Sequence, residues 1–416
     1  MTNESRADAK RHALARLAAD GFAEVFADRE ACVSETPPRV FYAPGRVNLI
    51  GDHTDYNGGL VFPCAVSSGI AMAIAARNDG KFRFRSAAFD YSLELETLDN
   101  LAPMERHWVN YPLGVVSEFQ QLENQNQDWQ ASGFDCFYTS DLPDGAGLSS
   151  SAAIEVVTAF ALKTLAGIKL ENMAHANLCQ RAENNFVSVP CGIMDQFAVV
   201  MGKKEQAIAL DCTTMRHEYV PLKPGGACFI LANTNQKRDM AEAGYNARVA
   251  ECQRAIKLLQ PRHQVRSLSE LQPDALVSTR DLFSDDAIAY RRTAHVVTEN
   301  QRVKLAMSAL QGNDTKAFGQ LMTGSHNSLR DLYEVSSEPL EHLITAALET
   351  PGTLGTRLTG AGFGGCTVSL VDTPEPAQWI AEAGAAYAKS SGRKADFFVF
   401  DAASGVAEIN HHDINS

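Results

Sequence analysis

The chain has 416 residues, 45% apolar and 21% charged, and its formal net charge is −13 because 50 acidic residues outnumber 37 basic ones. These values are typical of a globular protein with two to three domains of roughly 150 residues each. The acidic balance argues against general nucleic-acid binding, and no uncharged apolar run approaches the roughly 18 residues that span a bilayer. Nine scattered cysteines without a Cys-x-x-Cys pair, and a start without an apolar signal core, predict a cytoplasmic protein without a disulfide framework.

The first half of the chain is predicted to begin with an amphipathic helix that ends before Pro37. Residues at helical spacing form its apolar face: Leu14, Leu17, Ala18, Phe22 and Val25. Apolar or alternating runs then predict strands within residues 40–42, 61–76, 81–86, 91–96 and 134–140. A helix from about Ser150, a second helix over 171–187 and a strand over 206–212 complete this half.

The second half opens with a turn at 223–226 and is predicted to contain both helices and strands. The predicted strands are 227–232, 366–371 and a final one at 396–400, and the predicted helices are 245–259 and 286–310. A polar connector over 261–285 separates the helices, and a glycine-rich segment over 346–365 precedes the strand at 366. Helices mixed with hairpin-like strand pairs indicate an α+β fold, which we divide into domains 1–212 and 213–416.

The segment from Gly145 to Ala153 places small residues directly before three serines at the predicted start of a helix. Glycines allow a ligand to approach the backbone, and a helix N-terminus offers unpaired N–H groups that suit phosphate. A serine hydroxyl at this place could also ligate Mg²⁺. The segment is not a Walker loop, because no lysine precedes the hydroxyls. An ordinary serine-capped helix after a glycine turn is the alternative.

A second polar segment, Ala43 to Gly59, contains Arg46, Asp52, His53 and Asp55 among turn residues. Carboxylates and an imidazole at this spacing could bind vicinal sugar hydroxyls or ligate a metal. A solvated polar loop with local Asx turns is equally compatible with the sequence.

A third segment, Thr359 to Gly365, matches the spacing Gly-x-Gly-x-x-Gly of dinucleotide-binding folds. That fingerprint must follow a strand and open a helix, whereas here the glycines precede the predicted strand at 366. Neither a His-Arg-Asp nor an Asp-Phe-Gly motif supports a protein kinase. The glycines therefore predict either a flexible turn between a helix and a strand or a loop that packs against a nucleotide site.

Asp195 stands alone among apolar residues in the segment Cys191 to Phe197. Such an aspartate is either a helix cap, which is the commoner case, or a functional carboxylate. Burial would raise its pKa and a nearby cation would lower it.

Together these motifs resemble the galactokinase family of the GHMP small-molecule kinase superfamily. The strongest match is Gly45 to Gly59, followed by Gly145 to Ala153 and Leu358 to Gly365, and the resemblance covers about residues 38–400. Further family-like segments lie at 181–186, 191–196, 245–248 and 325–331. The resemblance implies a two-domain α+β fold with the active site in the cleft between the domains. It also implies transfer of the ATP γ-phosphoryl group to the C1 hydroxyl of α-D-galactose.

The resemblance also assigns roles to particular residues. It implies that Asp195 is the base at the C1 hydroxyl and that Arg46 lies beside it. The implied sugar-binding residues are Asp52, His53, Thr54, Asp55, Gly192 and Tyr245. The implied triphosphate-binding residues are Gly145, Ala146, Gly147, Leu148, Ser149, Ser150 and Ser151. Ser151 and Glu183 would hold Mg²⁺, and Trp108 or Tyr111 would border the adenine of ATP.

Two positions depart from the family pattern. The family usually has glutamate where this chain has Asp52, whose side chain is about 1.5 Å shorter, so a direct sugar contact would need a bridging water. The third motif usually begins Thr-Gly-Gly-Gly, and Ala361 replaces one of its glycines. Because alanine disfavours positive φ, we expect ordinary dihedral angles at position 361.

Two other functions are alternatives on the same scaffold. One is a kinase for a related sugar such as N-acetylgalactosamine or arabinose, since Asp52 could widen the pocket. The other is a non-catalytic galactose and ATP sensor that acts through a protein partner. Such paralogues lose small residues after the serines, whereas Ser149 to Ala153 is intact here. We therefore expect galactose and ATP as substrates, without an obligate protein partner, a nucleic acid or a membrane.

Overall fold

The computed structural model describes residues 6–27, 37–105, 107–123, 133–143, 145, 147–222, 225–236, 241–373 and 375–415. The helices in this part of the chain are α1 (Arg6–Val25), α2 (Asn110–Glu123), α3 (Ser150–Leu165), α4 (Asn172–Arg181), α5 (Met194–Met201), α6 (Ala241–Leu259), α7 (Ala275–Ser278), α8 (Ala287–Gln311), α9 (Thr315–Ser328), α10 (Glu338–Glu349), α11 (Ala377–Ser391) and α12 (His411–Asn415). Two π-helical turns, Ala182–Val187 and Leu329–Tyr333, continue α4 and α9.

The strands form three sheets that are antiparallel except for one neighbouring pair. They are β1 (Arg39–Asn48), β2 (Leu60–Val61), β3 (Pro63–Ala76), β4 (Phe82–Ser86), β5 (Leu93–Leu95), β6 (Phe134–Ser140), β7 (Gln206–Asp211), β8 (His217–Pro221), β9 (Cys228–Asn233), β10 (Thr353–Thr359), β11 (Cys366–Val371), β12 (Asp396–Phe400) and β13 (Ala407–Ile409). The sheets have the orders β13-β1-β3-β6-β4-β5, β10-β11-β9-β12 and β2-β7-β8, and only β4 and β6 run parallel. Because β13 pairs with β1, the end of the chain joins the sheet of the first half.

One large apolar core connects the two halves of the chain. It extends from β1 and β3, through α2 to α5, to the inner faces of β9 and β11. A second core lies between α6, α8 and the π-helical turn after α9. None of the helices in the described ranges combines the length and the apolar character needed to cross a bilayer.

The apolar face of α1 differs in part from the prediction. Leu14, Ala18 and Phe22 are buried, as predicted, but Leu17 is 59% exposed and Val25 is 42% exposed. The prediction for Leu17 was wrong because, at 3.6 residues per turn, this side chain points away from the face that Leu14, Ala18 and Phe22 share. Ala15 and Phe26 are buried as well, at 0% and 1% exposure.

The predicted strands at 134–140, 366–371 and 396–400 have the bounds that the structure shows for β6, β11 and β12. Three strands were not predicted. The strand at 396–400 is followed by β13, the polar 217–221 forms β8, and the glycine-rich 346–365 contains β10. The third glycine motif therefore connects two antiparallel strands, β10 and β11, rather than a helix and a strand.

Candidate active site

A cleft of about 450 Å³ is the place where the predicted site residues meet. Its walls come from the segment after β1, the start of α3, the segment before α5, the start of α6 and the β10–β11 turn. The lining includes Arg46, Asp52, His53, Asp55, Gly145, Gly147, Leu148, Ser149, Ser150, Ser151, Glu183, Gly192, Asp195, Tyr245, Gly360 and Ala361. Ala146 lies outside the described residues.

Arg46 and Asp195 form a two-pronged ion pair inside this cleft. Arg46 Nε donates to Asp195 Oδ1 at 2.7 Å, and Arg46 Nη2 donates to Oδ2 at 2.6 Å. Ser149 Oγ also donates to Oδ2. The side chain of Asp195 keeps 26% exposure towards the cleft, whereas that of Arg46 keeps 7%. Asp195 is therefore not a helix cap, because its carboxylate binds Arg46 and Ser149 and the N-cap of α5 is Ile193.

The local fold of β1 brings Arg46 to this position. The pairing of β1 with β3 shifts its register between Pro44 and Arg46, which is typical of a bulge that redirects a side chain. A Cβ at Gly45 would lie 2.7 Å from the Leu148 carbonyl oxygen, so glycine permits the close approach of this loop. The Arg46 N–H donates to that carbonyl at 3.0 Å, and Arg46 Nη1 donates to the Gly147 carbonyl at 2.7 Å.

The start of α3 opens onto the cleft with three serines. Ser149 is the N-cap residue, with φ of 58°, and its hydroxyl makes no capping hydrogen bond because it binds Asp195. An ordinary serine-capped helix is therefore not what this motif forms. Gly145 and Gly147 also have positive φ, of 66° and 69°, which explains glycine at both positions of the turn.

Glu183 lies in the π-helical turn after α4, with only 6% exposure. Gln196 Nε2 donates to its Oε2 at 2.6 Å, and a hydrogen bond links it to the Ser151 side chain. Burial, with a contribution from the charge of Asp195, raises the pKa of Glu183 to about 7. Glu183 has no cationic side-chain partner among the described residues, and a hydroxyl beside such a buried carboxylate suits Mg²⁺ with substrate phosphates. No group of three or more His, Cys, Asp or Glu side chains suited to a metal occurs within the described ranges.

The opposite end of the cleft is lined by Asp55, Gly192 and Tyr245. A Cβ at Gly192 would lie 1.9 Å from Asp55 Oδ2, so only glycine lets this carboxylate approach the backbone. Burial raises the pKa of Asp55 to about 7, and the neighbouring charges of Asp195 and Asp52 contribute. Carboxylate oxygens beside an exposed backbone and a tyrosine are suited to bind hydroxyl groups.

Asp52 lines the floor of the cleft, but its carboxylate is already paired. Asn48 Nδ2 donates to Oδ1 at 2.8 Å, and Arg357 Nη2 forms an ion pair with Oδ2. The side chains of Arg357 and Asp52 are 0% and 3% exposed. Sequence reasoning missed Arg357, although an arginine within the apolar strand before the third motif was a usable signal.

His53 and Thr54, both predicted to bind the sugar, use their side chains for protein contacts. His53 Nδ1 lies 2.9 Å from Tyr56 Oη, and Nε2 lies 3.2 Å from the Ala361 carbonyl oxygen. Burial lowers the pKa of His53 to about 3, so the ring is neutral. Thr54 is fully buried, and its hydroxyl lies 2.7 Å from the carbonyl oxygens of Gly51 and Leu60. Thr54 is therefore not among the residues that line the cleft, and its contact with the sugar stays a prediction.

Helix α8 holds the segment after β1 from the other half of the chain. His295 Nε2 lies 3.1 Å from the Asp52 carbonyl oxygen. One turn later, Glu299 Oε1 accepts the Gly51 N–H at 3.0 Å. Both side chains are fully buried. Sequence reasoning missed this pair, although a histidine and a glutamate four residues apart within a buried helix face were a signal.

The β10–β11 turn closes one side of the cleft through Gly360 and Ala361. Gly360 and Gly362 have φ of 82° and 79°, whereas Ala361 is outside the positive-φ region, as predicted. Trp108 and Tyr111 are outside the cleft lining. Trp108 instead stacks on Phe89, with ring centroids 6.1 Å apart and an interplanar angle of 12°. Their place beside an adenine stays a prediction.

Family models match three parts of the chain. The model described as the galactokinase galactose-binding signature matches residues 25–76, and the N-terminal and C-terminal domain models of the GHMP kinases match residues 110–203 and 306–390. The galactokinase of Clostridium acetobutylicum is 44% identical over 373 residues, which are 89% of this chain and 95% of that protein. The galactokinase of Bacillus subtilis is 40% identical over 390 residues, with 93% and 97% coverage.

Solved structures show the same relationship. The crystal structure of Lactococcus lactis galactokinase complexed with galactose has a TM-score of 0.88 at 35% identity and covers 94% of this chain and 98% of that one. The mevalonate kinase of Methanococcus jannaschii shares the fold, with a TM-score of 0.61 at 18% identity over 89% of this chain and 100% of that one. The chain therefore belongs to the galactokinase family and is a phosphotransferase with the two-domain α+β fold of the GHMP kinases, as its motifs predicted.

Proposed function

We propose that this enzyme transfers the γ-phosphoryl group of ATP to the C1 hydroxyl of α-D-galactose. The observation that carries the proposal is the Arg46–Asp195–Ser149 cluster, which lies between the start of α3 and the Asp55 end of one cleft. Phosphoryl transfer depends on alignment and on stabilisation of charge more than on covalent chemistry. The cluster offers a carboxylate for the acceptor hydroxyl beside a guanidinium for the phosphoryl charge.

Asp195 is proposed to receive or orient the proton of the C1 hydroxyl. Its carboxylate keeps an exposed edge towards the cleft, which leaves an approach for a sugar hydroxyl. The guanidinium of Arg46, which donates two hydrogen bonds to this carboxylate, would also stabilise negative charge on the transferred group. A base in this role usually contributes about 10²–10⁴-fold to the rate.

The triphosphate is proposed to lie along residues 145–151, at the N-terminus of α3. The partial positive charge of the helix and its unpaired N–H groups favour phosphate there. Ser151 and Glu183 would hold Mg²⁺, which supplies positive charge to the phosphates when it is bound. Glu183 fits this role because its carboxylate is buried, has no cationic side-chain partner in the part of the chain that the structure describes, and contacts Ser151.

The sugar is proposed to contact Asp55, Gly192 and Tyr245. The paired carboxylate of Asp52 is proposed to form the floor of the pocket, consistent with its Arg357 and Asn48 partners. We assign His53 and Thr54 to the shape of the loop, since their polar side-chain atoms are used within the protein. No feature of the cleft favours another sugar over galactose.

The remaining predictions extend this function. A cytoplasmic location agrees with eight described cysteines that are free thiols. We also propose that the reaction uses galactose and ATP as substrates without an obligate protein partner, and that the two domains divide near residue 212.

The direct test is ADP release from Mg·ATP with a panel of galactose, 2-deoxygalactose, glucose, N-acetylgalactosamine and arabinose. We expect turnover with galactose above the other sugars, and a phosphate on C1 of the product by ³¹P NMR. Galactose binding without ADP release would contradict the kinase function. Faster turnover with N-acetylgalactosamine or arabinose would identify that sugar, rather than galactose, as the preferred substrate.

A further inference from the structure

A continuous chain of hydrogen bonds runs behind the sugar end of the cleft. Cys252 Sγ lies 3.1 Å from Tyr333 Oη, which lies 2.7 Å from Tyr56 Oη. Tyr56 Oη then lies 2.9 Å from His53 Nδ1, and His53 Nε2 lies 3.2 Å from the Ala361 carbonyl oxygen. Cys252, Tyr333 and His53 are each no more than 5% exposed. The chain joins α6, the π-helical turn after α9, the segment after β1 and the β10–β11 turn.

The carbonyl at one end gives every bond in this chain a direction. A carbonyl oxygen only accepts, so His53 Nε2 carries a proton and donates to Ala361. The neutral ring then has an unprotonated Nδ1, which accepts from Tyr56. Because Tyr56 donates to His53, its oxygen accepts from Tyr333, which in turn accepts from the thiol of Cys252. Each hydroxyl in the chain is thus both a donor and an acceptor.

Tyr333 is held in place by the same helix that supplies Tyr245 to the cleft. Arg248, one turn after Tyr245 on α6, donates from Nε to the Tyr333 carbonyl at 2.7 Å. Its Nη2 donates to the Glu334 carbonyl at 2.8 Å, so the guanidinium caps the π-helical turn. The tyrosine hydroxyl therefore has a fixed position relative to α6.

The other end of the chain reaches the phosphate side of the cleft. Ala361 follows Gly360, where a Cβ would lie 3.9 Å from the Gly147 carbonyl oxygen. That same carbonyl accepts from Arg46 Nη1 at 2.7 Å. Gly360 and Ala361 line the same cleft as Gly147, so the β10–β11 turn lies close to the turn before α3.

We propose that Tyr56 and Tyr333 are positioning residues that hold His53 as its Nε2–H tautomer, so that His53 fixes the β10–β11 turn against the nucleotide side of the cleft. The role of His53 is then to connect the sugar loop to the turn around Ala361. This proposal rests on the proposed transfer from ATP to galactose. It predicts that loss of either tyrosine hydroxyl weakens ATP binding more than galactose binding.

The test compares Tyr56→Phe and Tyr333→Phe with the control Tyr387→Phe. Tyr387 is also fully buried, and its hydroxyl donates to the Thr234 carbonyl at 3.1 Å, so it is not a member of the chain described above. Loss of one hydrogen bond should raise the KM for ATP roughly five- to tenfold. We expect the KM for galactose and kcat to change by less than about twofold, and the control to keep all three values.

A conservative exchange and a spectroscopic measurement separate positioning from simple stabilisation. Cys252→Ser keeps a donor to Tyr333 and should retain the wild-type KM for ATP. In ¹⁵N-histidine-labelled wild-type enzyme, the His53 signal, identified by its absence in His53→Gln, should show a protonated Nε2 between pH 6 and 8. In Tyr56→Phe, the same signal should show a mixture of molecules protonated at Nε2 and at Nδ1.

The proposal is overturned if wild-type His53 carries its proton on Nδ1. It is also overturned if the tyrosine variants lose stability without a selective rise in the KM for ATP, or if Tyr387→Phe raises that KM equally. The NMR measurement of the tautomer does not require turnover. If the enzyme is inactive on galactose, the affinity for a non-hydrolysable ATP analogue, measured by calorimetry, takes the place of the KM for ATP. A wild-type enzyme that is inactive on galactose would therefore contradict the proposed function, while the tautomer and the analogue affinity would still test the role of the two tyrosines.

Discussion

Replacement of Asp195 by asparagine tests the centre of the site, because it keeps the shape of the side chain and removes its charge. The carboxylate accepts two hydrogen bonds from Arg46 and one from Ser149. If it also receives or orients the acceptor proton, kcat should fall by about 10²–10⁴-fold. That range corresponds to roughly 2.7–5.4 kcal/mol of transition-state stabilisation. Galactose and ATP should still bind within a few-fold of wild type.

Loss of folding cannot produce a decrease of this size. The Asp195 side chain is 26% exposed. The loss of its ion pair should therefore lower the free energy of unfolding by more than the about 0–1 kcal/mol of a surface pair and by less than the about 3–5 kcal/mol of a fully buried pair. A loss of about 3 kcal/mol from a stability of only about 5 kcal/mol would leave roughly 97% of the molecules folded. Kinetics by coupled ADP release, calorimetric binding and thermal unfolding measure the three effects separately.

Asp79→Asn is a matched control for this experiment. Asp79 pairs with Arg77 through the same two-pronged geometry, and the side chains are 28% and 7% exposed, close to the 26% and 7% of Asp195 and Arg46. The control pair follows the end of β3 and is not among the residues that line the cleft, so kcat should stay within twofold of wild type. Turnover of Asp195→Asn near the wild-type value, or an equal loss in Asp79→Asn, would refute the assigned role.

Three further outcomes follow from the burial and charge of the site. Asp52→Asn leaves the buried guanidinium of Arg357 without its anion, which should lower the free energy of unfolding by about 3–5 kcal/mol in a urea titration; an unchanged midpoint would contradict the pairing. Gly192→Ala places a Cβ 1.9 Å from Asp55 Oδ2 and should weaken galactose binding at least tenfold by calorimetry, with ATP binding retained. Burial raises the pKa of Asp55 to about 7, and the ionised carboxylate accepts more strongly from sugar hydroxyls than the protonated carboxyl group does. Galactose affinity should therefore fall by up to about tenfold from pH 8 to pH 6; Asp55→Asn should bind more weakly and without this dependence.

The main elements and the site segments were predictable because they depend on local sequence. Period-two alternation located β6, and the helical spacing after Ser150 located α3. The same reasoning missed β8, because its polar sequence carries no apolar alternation and the strand is stabilised by pairing with β7. The prediction at Leu17 was wrong for a related reason, since apolar spacing alone does not tell which arc of a helix other elements cover.

The contacts between distant side chains were not predictable from the sequence. Ser149 was expected at the triphosphate, yet its hydroxyl donates to Asp195, a residue 46 positions away. To predict such a contact, the relative position of two loops must be known, whereas a sequence motif specifies only the residues within a single loop. His53 was expected at the sugar, and its side chain also contacts Tyr56 and Ala361, of which Ala361 is 308 positions away.

Asp52 shows how this dependence affects the sugar pocket. The Asp52 side chain is about 1.5 Å shorter than the glutamate usual in the family. Its carboxylate therefore stays at the floor of the cleft, where it forms an ion pair with Arg357. Arg357 also donates to the Asn48 carbonyl, and His295 Nε2 lies within hydrogen-bond distance of the Asp52 carbonyl oxygen, so the second half of the chain sets the height of this floor. A glutamate here would have to displace Arg357 or extend into the cleft. We therefore expect sugar preference to depend on β10 and α8 as well as on the signature around Asp52, from which His295 and Arg357 are 243 and 305 positions away.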